Sequence, residues 1–241
     1  MSGTTVDILV IGPHPDDIEI GFGGSVALHD ARGHRVGLCD LTRGELGSNG
    51  TIDERLAEAE AARVVLGAEW RLNFAWPDGG LYDTPEHARD VVRLVRASRP
   101  RVVAIPYWDD RHPDHRAASE ALSRALFTCG LRRFTLPADD PGHALEPWRP
   151  ERVCYYFIND DAPVSFALDV SSVYDKKRQA LDCHRTQFTP AEPDSVPTRL
   201  TAPTFRQLIE SRDAHLGART GVAFAEGVVI REPLLRSTLL D

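Results

Sequence analysis

The feature that most limits how this chain can fold is an alternation of short apolar runs with helical segments through its first 128 residues. Residues 6–11 are rich in β-branched side chains and lead into Gly12-Pro13, the pattern of a strand buried in a parallel sheet. A small helix over 24–32, stopped by Gly33, follows. Residues 36–41 read as a second strand, and Thr51 with Glu54 forms a capping box for a helix over 54–66 that Gly67 ends. Residues 70–74 give a third strand, and the Pro77-Asp78-Gly79-Gly80 loop comes next. Thr84-Pro85-Glu86 then supplies a cap, a first-turn proline and an acidic first turn for a helix over 86–97. Pro100 precedes a fourth strand at 101–105, and Pro113 opens a helix that runs to about residue 127. Four such alternations predict an α/β fold, a Rossmann-like doubly wound, mostly parallel sheet with helices on both faces.

The remainder reads as an addition to that sheet. A loop rich in Pro, Asp and Gly spans 129–150, followed by strands at 152–158 and 166–170 and a helix at 172–183. A Pro-rich loop, a helix at 204–216 and a last strand at 222–230 complete it. The expectation is a single domain over 1–241, with a core at 1–128 and a small C-terminal cap at 129–241. A chain of 241 residues can bury about 70–75% of its unfolded surface, enough for a core without staples. Its 28 Lys and Arg against 36 Asp and Glu leave a net charge of −8, which makes nucleic acid and anionic membranes poor partners. Cys39, Cys129, Cys154 and Cys183 form no paired motif and read as free thiols. With no basic leader and no long apolar run near the start, the chain reads as a cytoplasmic enzyme.

Chemistry concentrates in two strings, His14-Pro15-Asp16-Asp17 directly after the first strand and His112-Pro113-Asp114-His115 directly after the fourth. With 9 His and 17 Pro in the chain, a His-Pro-Asp string is expected by chance only on the order of 0.06 times. In a doubly wound sheet of order 3-2-1-4, strands one and four are neighbours, and ligands bind outside their carboxyl ends. Both strings therefore converge. Each proline fixes its own φ and keeps the preceding histidine extended, so the rings are aimed with little freedom left. His14, Asp17 and His115 make a set of two imidazoles and a carboxylate, which binds a divalent metal and leaves positions open for water and substrate.

At these residues the sequence resembles the zinc-dependent N-deacetylases of N-acetylglucosamine conjugates, the LmbE or PIG-L type. Segments TRGELGSNGTIDERLAEAEAA, WPDGGLYD, RHPDHRAAS, KKRQALDCHRTQF and ARTGVAFAEG resemble that family's segments in the same order. The last two look most like the branch that deacetylates N-acetylglucosaminyl malate in bacillithiol biosynthesis. The resemblance implies a hydrolase with Zn2+ on His14, Asp17 and His115, Fe2+ being a possible replacement in cells. It implies Asp16 as general base, and His112, oriented by Asp114, as the group that stabilises the oxyanion. Arg55 resembles the family's substrate-contacting arginine and Asp78 its acceptor for a sugar hydroxyl, with Glu45 a further candidate for substrate binding. An Asp before Gly-Gly is also a common turn former, and an Arg on an acidic helix a common partner of Glu. Arg43, Arg111 and Arg185 are candidates for pairing with a substrate carboxylate. His184, beside Cys183, reads as an outer or core histidine. Members of the family are often hexamers, so a homo-oligomer is expected, with a small amino-sugar conjugate as substrate.

Three rival readings stand beside this one. Non-haem iron oxygenases use the same ligand set, though typically on a β-helix. A nicotinamide enzyme would use Gly21-Phe22-Gly23-Gly24, but the fingerprint needs glycine where Val26 stands. The third is a sugar-binding module without catalysis. Within the deacetylase reading, chitobiose-like and mycothiol-like substrates are the alternatives to the malate conjugate.

Overall fold

A computed structural model describes residues 5–189, 195–235, 237 and 238. Seven strands form one sheet in the order β3-β2-β1-β4-β5-β7-β6. They are β1 (Ile8–Gly12), β2 (Val36–Thr42), β3 (Trp70–Trp76), β4 (Val102–Pro106), β5 (Arg152–Tyr156), β6 (Phe166–Asp169) and β7 (Ala225–Val229). The first five run parallel, and β7 is antiparallel to both β5 and β6. β1 pairs with β2 on one edge and β4 on the other, Leu9 standing opposite Gly37 and Val103. This is the mostly parallel α/β sheet expected from the alternation, and the ends of β1 and β4 are side by side.

Helices α1 (Asp17–Ala31), α2 (Ile52–Leu66), α3 (Pro85–Ser98), α4 (Pro113–Cys129), α5 (Tyr174–Cys183), α6 (Arg185–Phe188) and α7 (Pro203–Thr220) connect the strands. One apolar layer joins Leu9, Ile11, Cys39 and Leu41 to Val91, Val95 and Leu122 of α3 and α4. The other joins Val10 and Leu38 to Val26, Ala62, Leu66 and Leu181 of α1, α2 and α5. All five residues of β1 are buried, which is why it reads as an unbroken apolar run. The capping box at Thr51 and Glu54 is formed, and Gly67 closes α2 in the left-handed conformation. Among the described residues no helix is long and apolar enough to cross a membrane. The Pro-rich loop before α7 lies partly outside the described residues.

The expected helix over 24–32 is corrected. It begins at Asp17, seven residues earlier, inside the first His-Pro-Asp string. Glycines at 21, 23 and 24 argue against a helix by propensity, since each costs about 1 kcal/mol relative to alanine. Packing overrides them. A β-carbon on Gly21 would lie 2.5 Å from the Phe157 carbonyl oxygen and from the Tyr156 ring, so glycine lets α1 lie directly on β5. Residues of the C-terminal part of the chain then hold the glycine-rich stretch through its backbone. Glu226 accepts hydrogen bonds from the N–H groups of Gly24 (2.9 Å) and Ser25 (2.7 Å), and Arg212 donates to the Ile20 carbonyl at 2.8 Å. Lys177, fully buried, sits 2.6 Å from both Glu226 and Asp213. A short 3-10 turn at Ser171–Val173 precedes α5, and the last strand is shorter than expected.

Candidate metal and catalytic site

The site is assembled at the carboxyl ends of β1 and β4. After Gly12 the chain passes through Pro13, His14 and Pro15, and Asp16 adopts φ 142° and ψ −25°, a conformation that costs an ordinary residue about 1–3 kcal/mol. α1 starts at the next residue. Because of this turn the two neighbouring carboxylates leave in different directions. Asp17 Oδ2 lies 3.0 Å from His14 Nδ1 and 3.2 Å from His115 Nε2, and it also accepts the His14 backbone N–H at 3.0 Å. Asp16 Oδ2 instead faces the Arg55 guanidinium at 3.1 Å.

One atom each from His14, Asp17 and His115 therefore falls within 4.8 Å of the others, and all three residues are buried. Two nitrogens and one oxygen at this separation suit a divalent cation bound at about 2.0–2.2 Å. The residues fit a metal, and the group could bind one. Burial alone would lower the His14 ring, yet hydrogen bonds to Asp114, Asp17 and Asp78 hold it well above its ordinary range. His115 is likewise disfavoured by burial but raised to about 9 by the Asp17 charge and the Asp110 hydrogen bond. Asp17 is held well below the usual carboxylate range, the histidine charges outweighing its burial. Imidazoles gathered around an anion in this way show how strongly the pocket favours positive charge at its centre.

Asp16 behaves differently. Burial pushes its carboxyl up to about 6; Arg55 opposes the shift, and the adjacent Asp17 charge adds to it. Arg55 also donates to the carbonyls of Gly44 and Pro15, each at 2.9 Å, while its Nε is buried without an acceptor. Gly44 has φ +66°, and a side chain there would collide with the Arg55 guanidinium. Arg55 is thus enclosed, 5% exposed, with its guanidinium turned toward the Asp16 turn.

His112 caps α4, its Nδ1 accepting the Asp114 backbone N–H at 3.2 Å, so a neutral ring carries its proton on Nε2. Burial, then repulsion from His115 and His14, lowers its pKa. The Asp114 carboxylate accepts from the Gly79 N–H at 2.8 Å, lies 3.4 Å from His14 Nε2 and comes within 4.8 Å of a His112 ring nitrogen; the hydrogen bond between Asp114 and His112 is made by the Asp114 backbone. Asp78 Oδ1 approaches the same His14 nitrogen at 3.2 Å, and Oδ2 accepts the Leu46 N–H. Glu45 ties two loops together, accepting from the backbone of Asp78 (3.1 Å) and Arg43 (3.2 Å). The nine candidates His14, Asp16, Asp17, Glu45, Arg55, Asp78, His112, Asp114 and His115 are thereby linked at one end of the sheet.

Two residues that the sequence did not single out belong here. Asp110 is 6% exposed and 3.1 Å from His115 Nδ1, and Asn159, beyond β5, hydrogen-bonds to Asp110. A carboxylate two residues before the second histidine string was the available signal. Nothing in the sequence pointed to Asn159. His184 is fully buried, its Nε2 3.4 Å from Glu19 Oε2, next to a cluster in which Arg71 bridges Glu19 (2.5 Å) and Asp40 (2.7 Å).

Residues 9–126 match the family model described as PIG-L, GlcNAc-PI de-N-acetylase. The chain is 29% identical over 231 residues to a diacetylchitobiose deacetylase of Thermococcus kodakarensis, covering 92% of this chain and 81% of that protein. It is 28% identical to a 1D-myo-inositol 2-acetamido-2-deoxy-alpha-D-glucopyranoside deacetylase of Nocardia farcinica, covering 79% and 83% of the two chains. Among solved structures it resembles the conserved protein TT1542 of Thermus thermophilus, with TM-score 0.86, 37% identity and coverage of 98% and 99%.

Proposed function

The chain belongs to the PIG-L family of GlcNAc-PI de-N-acetylases and is a deacetylase of N-acetylglucosamine-type substrates, and from that membership we propose how its site works and what it takes. The observation that carries the reading is the convergence of His14 Nδ1, Asp17 Oδ2 and His115 Nε2 beside a carboxyl group raised to about 6. His14, Asp17 and His115 would hold a divalent metal such as zinc, which would supply Lewis acidity and lower the pKa of a bound water to about 7. Asp16 takes the proton of the attacking water as general base, and its raised pKa keeps it close to the working range. His112, neutral and protonated on Nε2, donates to the oxyanion that develops on the acetyl carbonyl. A donor of this kind is typically worth about 3–4 kcal/mol in the transition state. Asp16 then returns its proton to the departing amine, giving the free amino sugar and acetate. Arg55 keeps Asp16 on its own side of the turn, away from the ligand set.

For the substrate we propose an N-acetylglucosamine conjugate with an anionic aglycone, such as the malate conjugate of bacillithiol biosynthesis. The support is chemical: the guanidinium groups of Arg43, Arg111 and Arg185 have no carboxylate partner among the described residues, and the Arg43 Nε is buried without an acceptor. The likeness to a diacetylchitobiose deacetylase over 92% of the chain supports a second reading, a neutral disaccharide. Acetate release by zinc-loaded protein from N-acetylglucosaminyl malate, diacetylchitobiose and N-acetylglucosamine separates them. A malate conjugate no better than the neutral sugars removes the anionic reading.

A further inference from the structure

We propose that Asp110, backed by Asn159, is the positioning carboxylate of His115: it fixes the ring tautomer that turns the Nε2 lone pair toward Asp17 and so sets how tightly the metal is held. The inference rests on the reading of His14, Asp17 and His115 as metal ligands. Asp110 follows β4 in the turn that leads to the second histidine string, and its oxygens see only donors. Oδ1 accepts the His112 backbone N–H at 2.8 Å and the Asn159 Nδ2 amide at 3.1 Å, and it lies 3.1 Å from His115 Nδ1. Oδ2 accepts the Asn159 backbone N–H at 3.0 Å.

An ionised carboxylate has about four lone-pair positions and no hydrogen to give. Three of its four neighbours are donors by constitution, two of them backbone amides and one a side-chain amide. The fourth, His115 Nδ1, is compatible with the others only when it carries a proton. The opposite tautomer would set an imidazole lone pair against the carboxylate. Asn159 Nδ2 also lies 3.3 Å from His115 Nδ1, but its hydrogen has the nearer, charged acceptor in Asp110 Oδ1. With the proton on Nδ1, Nε2, 3.2 Å from Asp17 Oδ2, is the nitrogen left to give its lone pair to a metal that the two residues would share. Metal-binding histidines commonly give their second nitrogen to such a carboxylate, and loss of that partner weakens metal binding about 10- to 100-fold.

The arrangement also couples the two halves of the sequence. Asp110 holds the His112 backbone and the His115 ring, while Asn159 anchors Asp110 from the exit of β5, beyond the 9–126 stretch of the family match. An Asp110→Asn side chain cannot substitute. Turned one way its amide hydrogens face the Asn159 N–H; turned the other they face the His112 N–H and the Asn159 amide.

Two measurements test this. Zinc affinity, by competition with a chromophoric chelator, is compared for the wild type and Asp110→Asn, with circular dichroism reporting the fold of each. The expected result is an affinity weaker by about 10- to 100-fold in the variant. Imidazole 15N NMR of the zinc-loaded wild type is expected to show the His115 proton on Nδ1, and it needs no variant that folds. Unchanged affinity in folded Asp110→Asn, or a His115 proton on Nε2, overturns the proposal while the ligand reading stands. A wild type that binds no zinc overturns both.

Discussion

Two clusters of buried charge press on the same helix, one at its first turn and one near its middle. At Gly24 and Ser25 the cluster is closed. Lys177 lies 2.6 Å from Asp213 and from Glu226, Glu226 takes two backbone N–H groups, and the Tyr174 hydroxyl donates to Asp213 at 2.9 Å. At the first turn, His14, Asp16, Asp17 and His115 are similarly buried, but one atom each from His14, Asp17 and His115 gathers within 4.8 Å of the others, and Asp16 keeps a raised pKa beside Arg55. Glu19 sharpens the contrast. Three residues past Asp16 and equally inaccessible, it is matched by Arg71 and held down at about 2, whereas Asp16 stands at about 6. Buried charge by itself therefore does not mark a site; buried charge left unbalanced and convergent does.

The comparison can be broken most sharply at Asp16. Asp16→Asn should lower kcat by about 10²–10⁴ with zinc content unchanged, as loss of a general base does. The same variant should be more stable at pH 7. A carboxyl raised from 3.8 to about 6 opposes folding wherever it must ionise, by up to about 3 kcal/mol at neutral pH. Elemental analysis, turnover and urea denaturation of one preparation decide both halves, and loss of zinc would move Asp16 into the ligand set.

In the closed cluster the sign reverses. Lys177→Met leaves Glu226 buried without its cation and Asp213 with Arg212 alone, and should destabilise the fold by about 3–5 kcal/mol. Urea denaturation of purified protein measures it, and a change under about 1 kcal/mol would mean that the cluster is not sealed from water.

Glu19 gives a pH signature. Its folded pKa, about 2, lies below its ordinary value of 4.5, so its stabilisation is present above pH 4.5 and is lost as pH falls toward 2. Glu19→Gln should remove that part of the acid dependence and about 3 kcal/mol at neutral pH. Parallel acid slopes in the two proteins would show that Arg71 does not hold the charge.

Arg55→Ala tests the border between the two kinds of carboxylate. Arg55 lowers the Asp16 pKa, so its removal should move the acid limb of the kcat profile upward by about one unit or more. An effect confined to KM would instead mark Arg55 as a substrate contact. The smallest effect belongs to the exposed pair Arg101 and Glu151, where Arg101→Ala should leave the thermal melt essentially unchanged.

Much of this was readable in the chain. The four strands and their order around β1 follow from apolar runs, caps and the handedness of parallel connections, and Pro15 and Pro113 fix where each histidine string leaves its strand. Local rules settle local backbone. The start of α1 was hidden because the reason for Gly21 is the Phe157 carbonyl, far along the chain, and the reason for Gly24 is Glu226. Asp16 and Asp17 are identical in sequence terms, and only the positive φ at Asp16, held by the surrounding packing, sends one toward Arg55 and the other toward His14 and His115. Asp110 and Asn159, like Lys177 with Asp213 and Glu226, meet across strands and helices remote in the chain. Residue order was enough to say which side-chain types reach the ends of β1 and β4, because proline, glycine and capping groups act over a few bonds. Which of their atoms face one another, and which charges are left unanswered, was settled only in the folded molecule, because hydrogen bonds and desolvation depend on neighbours that folding brings from elsewhere in the chain.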